Sequence, residues 1–281
     1  MTKAKSLLEV LQSTTAYFTK HKIENPRLNA EHLLAHALGR TRMDLYLEFE
    51  RALNEAELVP LRELVKRRAE GEPLQHLLGT VEFCGHTFLI DKRAMVPRPE
   101  TEELVELLQS KIENRKSRIV DVGTGSGVIA LSLAKEFPEA EVYAVDISED
   151  ALALARENAA RLGFERVHFQ KSDLLETLSE RFDLIVANLP YISMQDRHQL
   201  AREVLHDPDV ALFGGPSGDE LVRKLIEQAP SRLEPGGLLA LEIGIGQSEG
   251  LCDFLRQKNC HDIALKKDYS GITRFLLARY G

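Results

Sequence analysis

One short polar run follows a predicted buried strand and could act on a planar nitrogen. It reads Asn188-Leu189-Pro190-Tyr191, after the apolar segment 182–187. The Asn188 side-chain oxygen and the Leu189 carbonyl could accept both hydrogens of an amide or exocyclic amine and so aim its lone pair at a methyl donor. Pro190 keeps Leu189 out of the helical region, and Tyr191 could lie against the planar group. Asn-x-Pro is also ordinary turn chemistry, but the position after a strand favours a catalytic and substrate-binding loop.

A glycine-rich loop follows an earlier predicted strand and leads into a helix that starts near Val128. Its residues are Gly123, Thr124, Gly125, Ser126 and Gly127. Glycines let the backbone turn tightly and approach a ligand, and a helix N-terminus offers free N–H groups. A dinucleotide fingerprint would need a glycine in place of Val128, and a phosphate-binding P-loop would need a Gly-Lys pair. The G-x-G-x-G spacing therefore favours S-adenosylmethionine over NAD, although such a loop can also serve only to pack a helix on a sheet.

An acidic residue, Asp146, ends the next predicted strand, nineteen residues after Gly127. A carboxylate at this place can accept hydrogen bonds from both hydroxyls of a ribose. Ser148 is the better N-cap for the helix that follows. We therefore expect Asp146 to hold the ribose of a nucleoside-bearing cofactor.

Composition and charge exclude several classes of protein. The chain has 281 residues, 43% of them hydrophobic, and a formal net charge of −8. Residues through Thr80 are nearly balanced in charge, so the acidity belongs to the remainder, which argues against nucleic acid as the main ligand. Three cysteines without a C-x-x-C motif argue against a disulfide framework or a cysteine zinc site. Without a signal peptide or a long apolar run, we expect a soluble, cytoplasmic protein with no membrane contact and no metal.

The chain divides into a helical part and a part where strands and helices alternate. Helix signals include Asn25-Pro26 as an N-cap with a first-turn proline, and Asn54 with Glu57 as a capping box. A β-hairpin is expected near residues 81–96. The strands predicted after it are 118–122, 142–145, 167–169, 184–187 and 238–243. Near-continuous apolar strands separated by helices indicate a parallel sheet covered on both faces, the α/β class.

Several motifs together resemble the release-factor glutamine methyltransferases, the HemK/PrmC family, over nearly the full length. The glycine loop alone indicates only a methyltransferase, whereas the Pro-Arg-Pro-Glu-Thr-Glu run combined with the asparagine loop is specific to this family. The motifs are residues 73–79, the hairpin 83–88, the run 96–102, the loop 121–127, Asp146, residues 172–174, the loop 188–191, Gly214-Gly215, residues 235–237 and residues 242–244.

The resemblance implies a Rossmann-like, seven-stranded class I methyltransferase domain at 97–281, a small all-helical domain at 1–79 and a β-hairpin linker at 80–96. It implies that S-adenosylmethionine methylates N5 of the glutamine in the Gly-Gly-Gln motif of class-I release factors, leaving S-adenosylhomocysteine. We also expect a monomer with no direct nucleic-acid contact. The N-terminal helices contain no cofactor residues and are balanced in charge, so we expect them to recognise the protein substrate. The residues that the resemblance adds to the cofactor site are Ile147, Asp173, Leu174 and, from the catalytic loop, Asn188.

One departure from the family leaves alternatives open. The family usually has Asn-Pro-Pro-Tyr, whereas Leu189 replaces the first proline here. The form Asn-Leu-Pro-Tyr also occurs in rRNA adenine dimethyltransferases. An adenine-N6 methyltransferase of RNA or DNA, a glutamine methyltransferase of a ribosomal protein and a non-catalytic nucleoside-binding module are therefore the competing interpretations.

Overall fold

The computed structural model describes residues 5–112 and 116–281 and divides them into two compact units. The first unit contains residues up to Thr80 together with residues 201–206. The second contains the described residues of 81–200 and 207–281. The division differs from the predicted domains in two ways. The hairpin expected as a linker belongs to the second unit, and a six-residue segment from within the methyltransferase part belongs to the first.

The first unit is helical. In the described residues its helices are α1 Leu7–Lys20, α2 Pro26–Leu38, α3 Arg42–Leu47, α4 Glu55–Ala69 and α5 Leu74–Leu78. The predicted capping box at the start of α4 is confirmed, because Asn54 and Glu57 each accept a hydrogen bond from the other's backbone N–H. The predicted start of α2 is confirmed in position, with Asn25 at the N-cap and Pro26 in the first turn, but Asn25 does not cap the helix through its side chain. Asn25 has φ +47° and makes no capping bond, so the helix begins at Pro26 without a side-chain cap.

A buried arginine ties residues 201–206 to the helices of this unit. Arg68 on α4 donates to Asn29 Oδ1 at 2.7 Å, to the Glu72 carbonyl at 3.0 Å and to Glu203 Oε2 at 2.7 Å. Its side chain is only 6% exposed. Removal of one partner from a buried charged network leaves the other groups without compensation. Arg68 therefore holds three separate segments of this unit together.

We expect Arg68→Ala to lower the free energy of local opening of α2 and α4 by about 2–4 kcal/mol, because buried hydrogen-bond acceptors lose their donor. Arg67→Ala is the matched control on the same helix. Arg67 pairs with Glu72, but its side chain is 42% exposed, so its removal should cost less than about 1 kcal/mol. Hydrogen–deuterium exchange of the two helices measures both effects. Equal protection in the two variants would contradict the role of Arg68.

The second unit begins with the hairpin and continues with alternating strands and helices. Its described elements are β1 Thr80–Phe83, β2 His86–Leu89, α6 Pro99–Gln109, β3 Arg118–Val122, α7 Val128–Glu136, β4 Glu141–Asp146, α8 Glu149–Leu162, β5 His168–Lys171, β6 Phe182–Asn188, β7 Ile192–Ser193, α9 Asp209–Leu212, β8 Phe213–Gly215, α10 Glu220–Gln228, β9 Leu233–Glu242, α11 Ser248–Gln257, β10 Cys260–Lys267 and β11 Thr273–Tyr280.

Seven strands form the main sheet in the order β10-β11-β9-β6-β3-β4-β5. The pairs β9/β6, β6/β3, β3/β4 and β4/β5 are parallel, as the apolar strand pattern predicts. Two further strands that the sequence patterns did not predict complete the sheet, and of these β11 runs antiparallel to both β9 and β10. The parallel strands bring the C-terminal ends of β3, β4 and β6 to one edge, where the predicted site residues lie.

The hairpin is part of the core of the second unit. Phe83 and Phe88 are fully buried in a cluster with residues of α6 and α7. Asn158 on α8 accepts a hydrogen bond from the Leu89 N–H at 2.6 Å and donates to its carbonyl at 3.0 Å. The hairpin therefore helps to fix the helix that follows Asp146.

In the described residues, no helix is long and apolar enough to cross a membrane.

Candidate active site

An open cleft lies at the carboxyl edge of the parallel strands and encloses about 1060 Å³, including its open mouth. Eleven of the thirteen predicted site residues line it. They are Gly123, Thr124, Gly125, Ser126, Asp146, Ile147, Asp173, Leu174, Asn188, Leu189 and Pro190. Gly127 and Tyr191 lie outside the lining, Gly127 at the start of α7 and Tyr191 one residue beyond the cleft wall.

The glycine loop follows β3 with its backbone in conformations that favour glycine. Gly123, Gly125 and Gly127 have φ of +73°, +56° and +85°. At Gly123 a side chain is also excluded by space, since a Cβ there would lie 2.8 Å from Leu189 Cδ2. The loop thus presents bare backbone to the cleft, and Leu189 packs directly against it.

A buried acid fastens this loop to the start of α7. Asp121 Oδ2 accepts hydrogen bonds from the Thr124 hydroxyl at 2.6 Å and from the Ala130 N–H at 3.1 Å. Complete burial raises the pKa of the Asp121 carboxyl to about 7, against the effect of these two donors. Its other oxygen has no hydrogen-bond partner among the described residues. Asp121 therefore holds the shape of the loop from beneath the cleft.

Asp146 lies at the end of β4 and faces the loop. Its two oxygens accept hydrogen bonds at 2.9 Å from the N–H groups of Gly125 and Ser148. Burial raises the pKa of the Asp146 carboxyl, and these backbone donors oppose the rise. Ser148 caps α8 by accepting from the Ala151 N–H, as predicted, so Asp146 is free of that task. Each carboxylate oxygen keeps a lone pair for a ligand.

The third part of the cleft comes from the loop after β5. Leu174 is nearly buried with φ +51°, an uncommon conformation for a leucine. Asp173 receives a hydrogen bond from Lys224 at 2.7 Å, and Lys224 also pairs with Glu176. Ile147, on the opposite side, is half exposed. Leu174 and Ile147 offer apolar surface for the flat face of an adenine ring, and Asp173 offers a polar group for its edge.

The asparagine of the catalytic loop is held by a hydrogen-bonded chain. Asn188 Nδ2 donates to the Thr101 hydroxyl at 3.0 Å, and that hydroxyl donates to Glu242 Oε2 at 2.9 Å. Thr101 lies on α6, and Glu242 ends β9 directly opposite Asn188 in the sheet register. The Asn188 Oδ1 atom is buried and has no hydrogen-bond partner in the described part of the chain. It is an acceptor without a partner, on a residue that lines the cleft.

Glu242 is itself almost completely buried. Burial raises the pKa of its carboxyl to about 7, while the Thr101 hydrogen bond and the nearby Arg274 charge act in the opposite direction. Buried acids with a raised pKa are concentrated at functional sites. The sequence interpretation assigned no role to Thr101 or Glu242. Two sequence signals could have indicated these residues. Thr101 lies in the family run 96–102, and Glu242 is an acid at the end of a buried strand, where α/β sheets bind their ligands.

Close backbone contacts fix the rest of the catalytic loop. A Cβ at Gly214 would lie 2.3 Å from the Pro190 carbonyl, so only glycine allows this approach. Gln247 donates to the Tyr191 carbonyl at 3.1 Å. The Leu189 side chain is 4% exposed and belongs to the core, so its contact is with the glycine loop. The departure from Asn-Pro-Pro-Tyr therefore fills space beneath the cleft.

Comparisons with known proteins agree with this arrangement. The sequence profile of the PrmC N-terminal domain matches residues 9–79, and that of a methyltransferase domain matches residues 113–266. The release factor glutamine methyltransferase of Geobacter sulfurreducens is 41% identical over 278 residues, 98% of this chain and 97% of that protein. The chain belongs to the release factor glutamine methyltransferase family. The family member from Escherichia coli K12 is 38% identical over 258 residues, 92% of this chain and 93% of its own length.

Solved structures confirm the class I methyltransferase fold predicted for this family member. The ribosomal protein L11 methylase from Lactobacillus delbrueckii subsp. bulgaricus has a TM-score of 0.51 and 26% identity, covering 66% of this chain and 81% of that one. The Thermus thermophilus 16S rRNA N2 G1207 methyltransferase, solved with AdoMet and guanosine, has a TM-score of 0.52 and 20% identity, covering 72% of this chain and 50% of that one. The second likeness concerns the fold alone.

Proposed function

We propose that this protein transfers a methyl group from S-adenosylmethionine to N5 of the glutamine in the Gly-Gly-Gln motif of class-I peptide-chain release factors. The observation that carries the proposal is the buried acceptor Asn188 Oδ1, unpartnered among the described residues, on a residue that lines the cleft. A buried oxygen without a partner costs about 1–3 kcal/mol, a cost that a substrate donor would relieve. Family membership over the full length supports the choice of acceptor.

The residues present fit S-adenosylmethionine. We assign its ribose hydroxyls to Asp146, whose two oxygens each have a lone pair left, and its adenine to the space between Ile147 and the loop at 173–174. The bare backbone of the glycine loop leaves room for the methionine part. When bound, the cofactor supplies an electrophilic methyl group on a positively charged sulfur.

The catalytic loop orients the substrate nitrogen. An amide nitrogen is a poor nucleophile because its lone pair is delocalised. Acceptance of its two hydrogens by Asn188 Oδ1 and the Leu189 carbonyl would point the lone pair out of the loop and towards the methyl group. Pro190 restricts Leu189 to extended conformations and so helps to fix that carbonyl. Orientation of this kind can supply about 7–11 kcal/mol of the barrier. We place Tyr191 against the flat face of the substrate amide.

Charge and cleft composition favour a protein substrate over RNA. The residues after Thr80 have a net charge of −9, so they gain little from phosphate contacts. The Leu189 side chain is buried and packs against Gly123, so we assign it a packing role rather than a role in widening a pocket for adenine. We further propose that the protein acts as a monomer. Release factors act at the ribosome, which places the reaction in the cytoplasm.

The deciding experiment is mass spectrometry of release factors incubated with the protein and labelled S-adenosylmethionine. We expect a single added methyl group on the Gly-Gly-Gln glutamine. Parallel reactions replace the release factor with ribosomal RNA or with ribosomal proteins, which test the two competing classes of methyl acceptor. Labelling of RNA or of a ribosomal protein, with an unmodified release factor, would show that the proposed class of methyl acceptor is wrong.

We propose that the helical unit recognises the release factor. Its short helix α3 exposes Met43 and Leu47 at 72% and 83%, and exposed methionine and leucine side chains are common at protein interfaces. We expect the double substitution Met43→Ser/Leu47→Ser to raise KM for the release factor about tenfold, with kcat and cofactor affinity within twofold of wild type. Leu265→Ser, on the edge strand β10, is the control and should leave KM unchanged. An unaltered KM in the double variant would contradict recognition through α3.

A further inference from the structure

Three buried polar side chains form a chain that ends at the acceptor Asn188 Oδ1 of the active site. Asn188, Thr101 and Glu242 come from β6, α6 and β9, and two hydrogen bonds of 3.0 and 2.9 Å join them in that order. Thr101 is 3% exposed and Glu242 is 1% exposed. A buried hydrogen-bonded network restricts the conformation of its members, because breaking one of its bonds leaves further buried groups unpaired.

The direction of the hydrogen bonds follows from the chemistry of the last member. An ionised carboxylate can only accept hydrogen bonds, so the Thr101 hydroxyl must donate its single proton to Glu242. The remaining lone pairs of that hydroxyl can then only accept, and Asn188 must therefore turn its NH₂ group towards Thr101. The amide oxygen is then left without a partner among the described residues.

Resting on the proposed function, we propose that Thr101 and Glu242 are positioning residues that hold the Asn188 amide with Oδ1 towards the substrate nitrogen. Without the chain, the amide could rotate by half a turn and present NH₂ to the substrate. Two N–H donors would then face each other and repel the substrate amide. Thr101 and Glu242 thus select the productive one of two nearly isosteric orientations.

Protonation of Glu242 would remove this directionality. A carboxylic acid can donate to Thr101, whose hydroxyl could then donate to Asn188 Oδ1 and stabilise the flipped amide. Burial places the pKa of Glu242 at about 7, with Arg274 from β11 lowering it and Glu100 from α6 raising it. Tyr191 also faces this carboxyl, and the Glu242 charge contributes to the raised pKa of its phenol. The productive orientation is therefore favoured above about pH 7 and lost as the pH falls below it.

The first test compares Thr101→Val with Thr101→Ser in release-factor methylation. We expect Thr101→Val to lower kcat at least twentyfold, with KM for the release factor and Kd for S-adenosylmethionine within threefold of wild type. Thr101→Ser restores the hydroxyl and should return kcat to within fivefold of wild type. The matched control is Thr87→Val, which removes a threonine–glutamate hydrogen bond on the hairpin, outside the cleft, and should leave kcat unchanged. A Thr101→Val kcat within threefold of wild type would overturn the proposal.

The second test uses Glu242→Gln, which cannot titrate, and does not depend on the folding of the Thr101 variants. The ratio of wild-type to Glu242→Gln kcat should fall at least fivefold between pH 8 and pH 6, because only the wild type loses its fixed direction. The ratio cancels any titration of the release factor or cofactor that both proteins share. A ratio that is constant with pH would contradict the positioning role of Glu242.

A third measurement is independent of activity and separates this proposal from the proposed function. Nuclear magnetic resonance of protein labelled with ¹⁵N-asparagine reports the Asn188 NH₂ group, whose signals are assigned by their loss in Asn188→Ala. In wild type these hydrogens should exchange slowly with water, and in Thr101→Val at least tenfold faster. Slow exchange without methylation of the release factor would defeat only the proposed function. Equal exchange rates of these hydrogens in wild type and Thr101→Val would contradict the positioning role of Thr101.

Discussion

Replacement of Asn188 with alanine is expected to reduce kcat for release-factor methylation about a thousandfold, while the Kd of S-adenosylmethionine rises less than fivefold. The reduction corresponds to about 4 kcal/mol of transition-state stabilisation. The physical reason is that the variant loses Asn188 Oδ1, a buried side-chain acceptor that has no partner among the described residues. The substrate nitrogen then keeps its contact with the Leu189 carbonyl alone, and its lone pair is no longer aimed.

The measurement is single-turnover methyl transfer with a saturating release factor, beside calorimetry with the cofactor. Asn54→Ala serves as the control, because it removes an asparagine oxygen that caps α4 in the helical unit. It should cost about 1 kcal/mol of local stability and leave turnover unchanged. Turnover of Asn188→Ala within tenfold of wild type would be incompatible with the orienting mechanism.

Local sequence patterns were sufficient to find the parts of the site that lie on consecutive strand ends. The glycine loop, Asp146 and Asn188 each follow a short apolar segment, and parallel strands bring such ends to one edge. Their clustering therefore depends only on the strand order of the fold. The capping box at Asn54 and the cap at Ser148 were predictable for the same reason, since each involves residues three apart.

Long-range pairings were not predictable in this way. Thr101 meets Glu242 across 141 residues of sequence, and nothing near either residue indicates the partner. The edge strand β10 has mostly half-exposed or exposed residues and lacks an apolar run, so it gave no strand signal. The strand β11 does contain a buried apolar run, at 275–278, which the sequence analysis did not use. Residues 201–206 join the helical unit through a contact with Arg68, which is also distant in sequence.

Leu189, which differs from the usual proline of the family, is accommodated by packing of its side chain in the core next to the glycine loop. Leu189 is buried among apolar residues and touches the space that Gly123 leaves free. The sequence alone left two interpretations, a harmless change or a pocket widened for adenine. The side chain points into the core, so its volume supports the cofactor loop, and Pro190 alone restrains the backbone.

Replacement of Asp146 with alanine is expected to weaken S-adenosylmethionine binding at least a hundredfold, far more than Asn188→Ala does. Two ribose hydroxyls would lose a charged acceptor, and hydrogen bonds to charged groups are worth about 1.5–3 kcal/mol each. The Gly125 and Ser148 N–H groups would also lose their acceptor, so the glycine loop would no longer be held towards β4. Asp146→Asn should weaken cofactor binding nearly as much, because an NH₂ group replaces one of the two carboxylate oxygens and then faces a backbone N–H.

Titration calorimetry with the cofactor decides this prediction, and Asp253→Ala is its control because Asp253 is exposed and pairs with Arg256 on its own helix. Since burial raises the pKa of Asp146, wild-type affinity should fall on acidification at a higher pH than an ordinary aspartate would give. Below that pH the carboxyl is protonated and loses its charge as an acceptor, whereas Asp146→Ala should show no such fall. Equal affinity of wild type and Asp146→Ala at neutral pH would show that the ribose is held elsewhere.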